Sequence, residues 1–174
     1  MYLPEGPPQP APAALDAFWR AACDRHPALN QGRPYHVRWI GLDHDSTEEV
    51  LELILAGDKT GTFTLPWIVE RTDHPDPEPG DPIVLIDFTG QPRVLVRLTN
   101  VYATRFGRVT EQDIAIDGSP VRSLEIWRPL HTQYWNALLE PFGLEVTDDM
   151  PVLVEPFELL FADTETGSQS ENDR

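Results

Sequence analysis

The chain has 174 residues, a formal net charge of -16 and a pI near 4.5. That length suits one domain able to bury about two-thirds of the surface its unfolded form exposes, and that charge repels phosphate backbones at long range, which argues against a general nucleic-acid coating protein and leaves DNA unexpected as a partner. The lone Cys23 excludes an intrachain disulfide or a cysteine zinc cluster, and no run approaches the about 20 apolar residues of a membrane span, so a cytoplasmic protein without signal peptide or membrane partner is expected.

Residues 1–12 carry five prolines and little that could pack, and read as a mobile arm. From Ala13, the spacing Leu15, Phe18, Trp19, Ala22 predicts a helix that holds Cys23 in its apolar face and ends near His26-Pro27. Tyr35 to Ile40 alternates apolar and polar residues and predicts a strand stopped by Gly41, with Trp39 inward. Ser46-Thr47-Glu48-Glu49 reads as a capping box with Ser46 as N-cap, followed by the apolar face Val50, Leu51, Ile54, Leu55 and by Gly57 as a left-handed stop. The preceding Asp43-His44-Asp45 has metal-ligand chemistry but reads better as a solvated turn, so no metal site is assigned.

The stretch from Ala56 to Thr64 follows that helix and contains Lys59, the only lysine in a chain with twelve arginines. An ammonium is a compact donor whose proton burial can remove, which a guanidinium cannot match, so Lys59 is a candidate for chemistry or ligand contact. Pro66 to Arg71 predicts a helical turn with Trp67 packing or lining the site. Thr72 to Pro82, with four prolines, reads as an exposed loop. Ile83 to Phe88 reads as a buried strand, and Arg93 to Thr104 as one or two more, making an antiparallel meander. Thr110 is expected to cap a short helix ending before the turn Asp117-Gly118-Ser119-Pro120. Ser123 opens an aromatic helix containing Trp127, His131, Tyr134 and Trp135, which Pro129 is expected to kink or split. The closing strand runs from Val152 to Phe161, where Pro156 suggests an edge or bulge, and a polar tail follows.

Four anchors in this order carry a family resemblance: Phe18-Trp19; Gly57-Asp58-Lys59-Thr60-Gly61-Thr62; Pro79-Gly80-Asp81 before the buried strand; and Arg122-Ser123-Leu124-Glu125-Ile126-Trp127-Arg128 leading to His131. Together they resemble the ASCH domain, a branch of the PUA-like superfamily whose Gly-x-Lys-x-x-Thr signature the second anchor matches. The resemblance implies an α+β fold: a small antiparallel or mixed β-barrel flanked by helices, forming one domain over residues 13–162 with a disordered acidic tail at 163–174. It also implies RNA or a modified nucleoside as ligand, in a cleft built on the Gly57-x-Lys59-x-x-Thr62 loop. The alternative it implies is a hydrolase, either an N4-acetylcytidine-type amidohydrolase or a metal-assisted ribonuclease. No cofactor is expected, apart from a divalent metal in the ribonuclease case, and no oligomeric state is set.

On the amidohydrolase pattern Lys59 and Thr62 match directly, and the acid falls on Asp117 where larger members carry a glutamate. Thr62 would be nucleophile, Lys59 would polarise or deprotonate it, and Asp117 would handle the proton. A lysine with a pKa of about 10.4 is neutral at pH 7 in only about one molecule in 2500, so a base role needs strong perturbation. Asp also reaches about 1.5 Å less than Glu. Ligand contacts are expected from Gly57, Lys59, Thr60, Thr62 and Trp67. Arg122, Ser123 and Arg128 could hold a phosphate at the helix start, or form an ordinary cap with surface arginines.

Overall fold

The computed structural model describes residues 8–163. Most of the expected arm (1–7) and of the tail (164–174) lies outside them. The end of the expected arm is not mobile: the Ala11 amide donates to the Gly90 carbonyl and the first helix starts at Pro12, inside the 1–12 stretch. In chain order the elements are α1 (Pro12–Arg25), β1 (His36–Trp39), α2 (His44–Leu55), β2 (Gly61–Thr64), α3 (Pro66–Val69), β3 (Pro82–Ile86), β4 (Pro92–Leu98), β5 (Tyr102–Arg105), α4 (Glu111–Ile114), α5 (Leu124–Leu139) and β6 (Pro151–Ala162), with short 3-10 turns between some of them.

The strands form one curled mixed sheet, a half-barrel flanked by helices, in the order β1-β3-β4-β6-β2. β1 is parallel to β3, and the other pairings are antiparallel. The expected meander therefore stops at the β3–β4 hairpin: β5 leaves β4 and pairs with β6 at Tyr102↔Val154, along the edge that β4 follows further on. Among the described residues no pairing joins β1 to β2, so the barrel stays open between these two edge strands.

The apolar run of β3 is explained by burial on both faces. Ile83 and Leu85 pack with Leu51 and Ile54 of α2, whereas Val84 and Ile86 pack with Leu15, Phe18 and Ala22 of α1. Cys23 is buried in α1 as the pattern predicts. A third core, around Trp127, Trp135 and Leu139 of α5, closes the other end against Val152 and Phe106.

Five local expectations need correction. The N-cap of α2 is Asp43, whose Oδ1 accepts the Ser46 amide at 2.9 Å while Ser46 Oγ accepts the Asp43 amide, so Ser46 is the third helical residue. A carboxylate is favoured over a hydroxyl here by the positive end of the helix dipole; Leu55, meanwhile, is 44% exposed. α5 is neither split nor interrupted at Pro129, because the carbonyl that loses its partner belongs to Glu125 in the exposed first turn, where water can serve it. Pro156 lies in the interior of the sheet: it opposes Gly61 of β2, and the pairing with β4 begins at the next residue, Phe157↔Leu98. The missing amide thus falls where β6 changes partners, and the register shift occurs near Leu160 instead. The 72–82 loop is mostly exposed but buries Pro77 and Asp81, whose carboxylate takes the Glu78 amide and the Arg33 guanidinium, each at 2.8 Å.

β6 also carries the fully buried Glu155, held by Arg38 of β1 with Nη1 to Oε2 at 2.6 Å, while Arg38 Nε, Arg38 Nη2 and Glu155 Oε1 have no partner. An imperfectly satisfied buried pair adds little net stability, but removing one member strands the other charge. We expect Arg38→Met to lower the unfolding free energy by about 3–5 kcal/mol, and Arg38→Met/Glu155→Leu to lower it less than the single substitution. Urea unfolding of the two variants checks this order.

Candidate functional site

The lysine loop is shaped by its backbone before its side chains. Gly57 ends α2 at φ +74°, the left-handed conformation that costs glycine least. The Asp58 and Lys59 amides then both donate to the Leu53 carbonyl, at 2.9 and 3.0 Å. Thr60 donates to the Ile116 carbonyl and accepts from the Phe157 amide, which ties the loop to both the 115–122 turn and β6. At Gly61 a Cβ would lie 2.4 Å from Ile116 Cδ1 and 2.9 Å from the Glu155 carbonyl, so only glycine lets these segments approach. Thr62 follows in β2, opposite Glu155.

This geometry turns Lys59 inward, where it is 5% exposed, and Nζ donates to Asp117 Oδ1 at 2.5 Å. Asp117 is equally enclosed: Oδ1 also accepts the Gly118 amide, and Oδ2 accepts Trp127 Nε1 at 3.2 Å. The shorter acid therefore reaches the lysine without difficulty. Beside the pair, His131 stacks on Trp127 with centroids 4.1 Å apart, its Nδ1 lies 2.8 Å from the Trp127 carbonyl, and its Nε2 lies 3.8 Å from Asp117 Oδ2. Burial pushes the His131 pKa down to about 4; Asp117 and the Trp127 carbonyl oppose the shift and Lys59 adds to it.

Lys59, Thr62, Asp117 and His131 line one cavity of about 300 Å³, walled mainly by apolar and aromatic side chains such as Leu53, Phe63 and Trp135. A second cavity, of about 370 Å³, shares Thr62 and Phe63 with the first and includes Arg38 and His74. Both draw on residues of the two edge strands or their ends, Ile40 near β1 and Thr62 in β2, so they occupy the open seam of the half-barrel.

The other expected contacts do not join this cluster. Arg122 is a staple: Nε donates to the Asp117 carbonyl at 2.7 Å, and Nη2 meets the Asp58 carbonyl and, at 2.8 Å, its carboxylate. Asp58 is held below the usual carboxylate range, first by the Ser119 amide. Arg128 Nη2 is directed to the Val109 carbonyl, and Ser123 occupies the N-cap of α5 without a side-chain bond. These three make no common anion cradle. Trp67 packs against the α5 core, Thr60 is exposed, and Gly57 acts through its backbone. His44 and Asp45 belong to the start of α2, and the described residues contain no group of three or more His, Cys, Asp or Glu placed to hold a metal ion.

These elements and this loop match the family model of the ASCH domain over residues 38–161. The chain belongs to the ASCH domain family. Two solved structures share the fold of this ASCH protein. One, a protein from Enterococcus faecalis V583, is 23% identical with a TM-score of 0.78, covering 94% of this chain and all of its own. The other, an ASCH domain from Lactobacillus crispatus JV V101, is 19% identical with a TM-score of 0.78, covering 91% of this chain and 99% of its own. No curated protein matches the chain. No helix among the described residues is long and apolar enough to cross a membrane.

His131 is neutral in the fold and titrates near its ordinary value when unfolded. Acid therefore protonates the unfolded chain first, so the fold should lose stability as pH falls from about 6.5 toward about 4, with little further loss from this group below that. The full effect is about 3 kcal/mol. Urea unfolding at several pH values should show a shallower decline for His131→Gln than for the wild type.

Proposed function

We propose that this ASCH domain binds a single nucleoside, either free and modified or as one base of an RNA, in the cavity at the barrel seam. The observation that carries the reading is the convergence of the buried Lys59–Asp117 pair with Thr62 on an aromatic-walled cavity of about 300 Å³. A small concave site that is mainly apolar, with a few fixed polar groups at one end, suits one flat heterocycle. Family membership favours RNA or nucleosides as the class. The charge favours a small ligand: at -16 overall, with Arg122 and Arg128 engaged elsewhere, Lys59 is the cation that lines the cavity, too little to hold a long phosphate chain. DNA is not proposed as a partner.

A hydrolytic reading of the same site is favoured by Thr62 sharing the cavity with the pair. Paired with a carboxylate, Lys59 serves as an ammonium, so it would hold the developing oxyanion of an acyl group and not act as base. The Thr62 hydroxyl would attack the acyl carbon and pass its proton to Asp117, Asp117 would deliver it to the leaving amine, and water would then hydrolyse the acyl-threonine. This is an amidohydrolase scheme for N4-acylated cytidine and uses no cofactor. The donor set does not suit the metal-assisted ribonuclease, because an ammonium already occupies the one buried carboxylate of the cavity.

Titration of tryptophan fluorescence at low salt with nucleosides and short oligoribonucleotides tests the binding reading. Saturable binding is expected, weakened at least about tenfold by Thr62→Val or Lys59→Met; absence of binding to every probe by the wild type would overturn it. Incubation with N4-acetylcytidine, followed by release of cytidine, tests the second reading. Equal turnover by wild type and Lys59→Ala would falsify the catalytic assignment.

A further inference from the structure

We propose that His131 sets the ligand preference of the seam cavity: its Nε2 and Asp117 Oδ2 together accept from an exocyclic N–H, so the site takes amino-bearing nucleobases over their oxo counterparts. The inference rests on the nucleoside reading above and deepens it. The first step concerns where the imidazole carries its proton. Nδ1 lies 2.8 Å from the Trp127 carbonyl oxygen, which can only accept, so Nδ1 must be the N–H. In the neutral ring Nε2 is then a bare lone pair.

The ring has little freedom to choose otherwise. It is stacked on Trp127 and met edge-on by Trp135 at 4.9 Å and by Phe63 at 5.8 Å. Nε2 is thereby held 3.8 Å from Asp117 Oδ2, too far for a hydrogen bond and with acceptors on both sides. The other carboxylate oxygen is already taken by Lys59 and the Gly118 amide, whereas Oδ2 has only the Trp127 indole and can accept again. Two fixed acceptors at this separation on one cavity wall are completed by a nitrogen donor lying about 2.9 Å from each.

Lys59 supplies the complement. Its ammonium has three protons, of which Asp117 Oδ1 takes one, and it lines the same cavity. A base that offers an amino group next to a bare ring nitrogen, as cytosine and adenine do, meets acceptors with its N–H and a donor with its ring nitrogen. Uracil and hypoxanthine reverse both positions. An oxo oxygen would face His131 and Asp117, a ring N–H would face the ammonium, and several groups would be desolvated without partners.

Fluorescence titrations with cytidine against uridine, and adenosine against inosine, test this in the wild type and in His131→Leu. The wild type should prefer each amino-bearing member by about tenfold or more, and His131→Leu should cut that ratio severalfold, the remainder resting on Asp117 and Lys59. Thr62→Val, by contrast, should weaken both members of a pair alike. The ribonucleoside of pyrimidin-2-one, with hydrogen in place of the amino group, removes the donor without altering the protein and should bind between cytidine and uridine. That ligand-side comparison decides the matter even if His131→Leu does not fold. Equal affinity within the pairs, or a ratio undiminished in folded His131→Leu, overturns the assignment while the nucleoside reading stands. Failure of all five ligands to bind overturns both.

Discussion

An ammonium taken out of water must find a carboxylate, and in this fold the meeting of Lys59 with Asp117 fixes how four elements come together. Lys59 hangs from the end of α2 through the Leu53 carbonyl, and Asp117 follows α4 with its amide on the Ile114 carbonyl. Trp127 of α5 contributes its indole N–H to the same carboxylate, and Thr60 joins the loop to β6. Arg122 fastens the outer side of this arrangement, where it is screened by water and contributes orientation more than energy. An unpaired charge at this depth would cost several kcal/mol, so the pair and its surrounding backbone bonds are best regarded as one unit.

The surface and the cavity obey different electrostatics. Most described arginines outside the site meet carboxylates or carbonyls, as Arg33, Arg93 and Arg97 do, and the surplus of acid remains in solvent. A phosphate chain approaching the molecule feels that surplus at long range, while a neutral base does not. In the buried part of the cavity Lys59 offsets Asp117 and burial keeps His131 neutral, while the exposed Glu49 adds one acid to the lining. On the proposed nucleoside reading, discrimination there would depend on the direction of hydrogen bonds, framed by the aromatic walls.

Much of this was legible from the residues. Period and punctuation gave α1, the β3–β4 hairpin, Gly57 as the stop of α2 and Thr110 as a cap, because each depends on neighbours in sequence. The single lysine and the ordered anchors led to Lys59, Thr62 and Asp117, which the fold does bring to one cavity. What escaped the reading depends on contacts distant in sequence. Arg122 and Arg128 looked available for anions because a sequence does not show that their guanidiniums meet carbonyls of the loops around Asp58 and Val109. His131, Tyr134 and Trp135 could be placed on an aromatic helical face, but which part of that face meets the cavity depends on how α5 crosses the seam. Pro156 suggested an edge, yet it sits in the one strand that serves both halves of the sheet, at the position where an amide is least missed.

The open seam has a consequence for the backbone on either side of it. Among the described residues β1 and β2 each pair with a strand on one side only, which leaves on each the kind of edge along which other chains add strands. Tyr134 and Trp135 of α5 line both cavities between these edges, so one face of this helix walls the seam. The gap that holds the cavities is thus also where the unpaired backbone of the sheet lies.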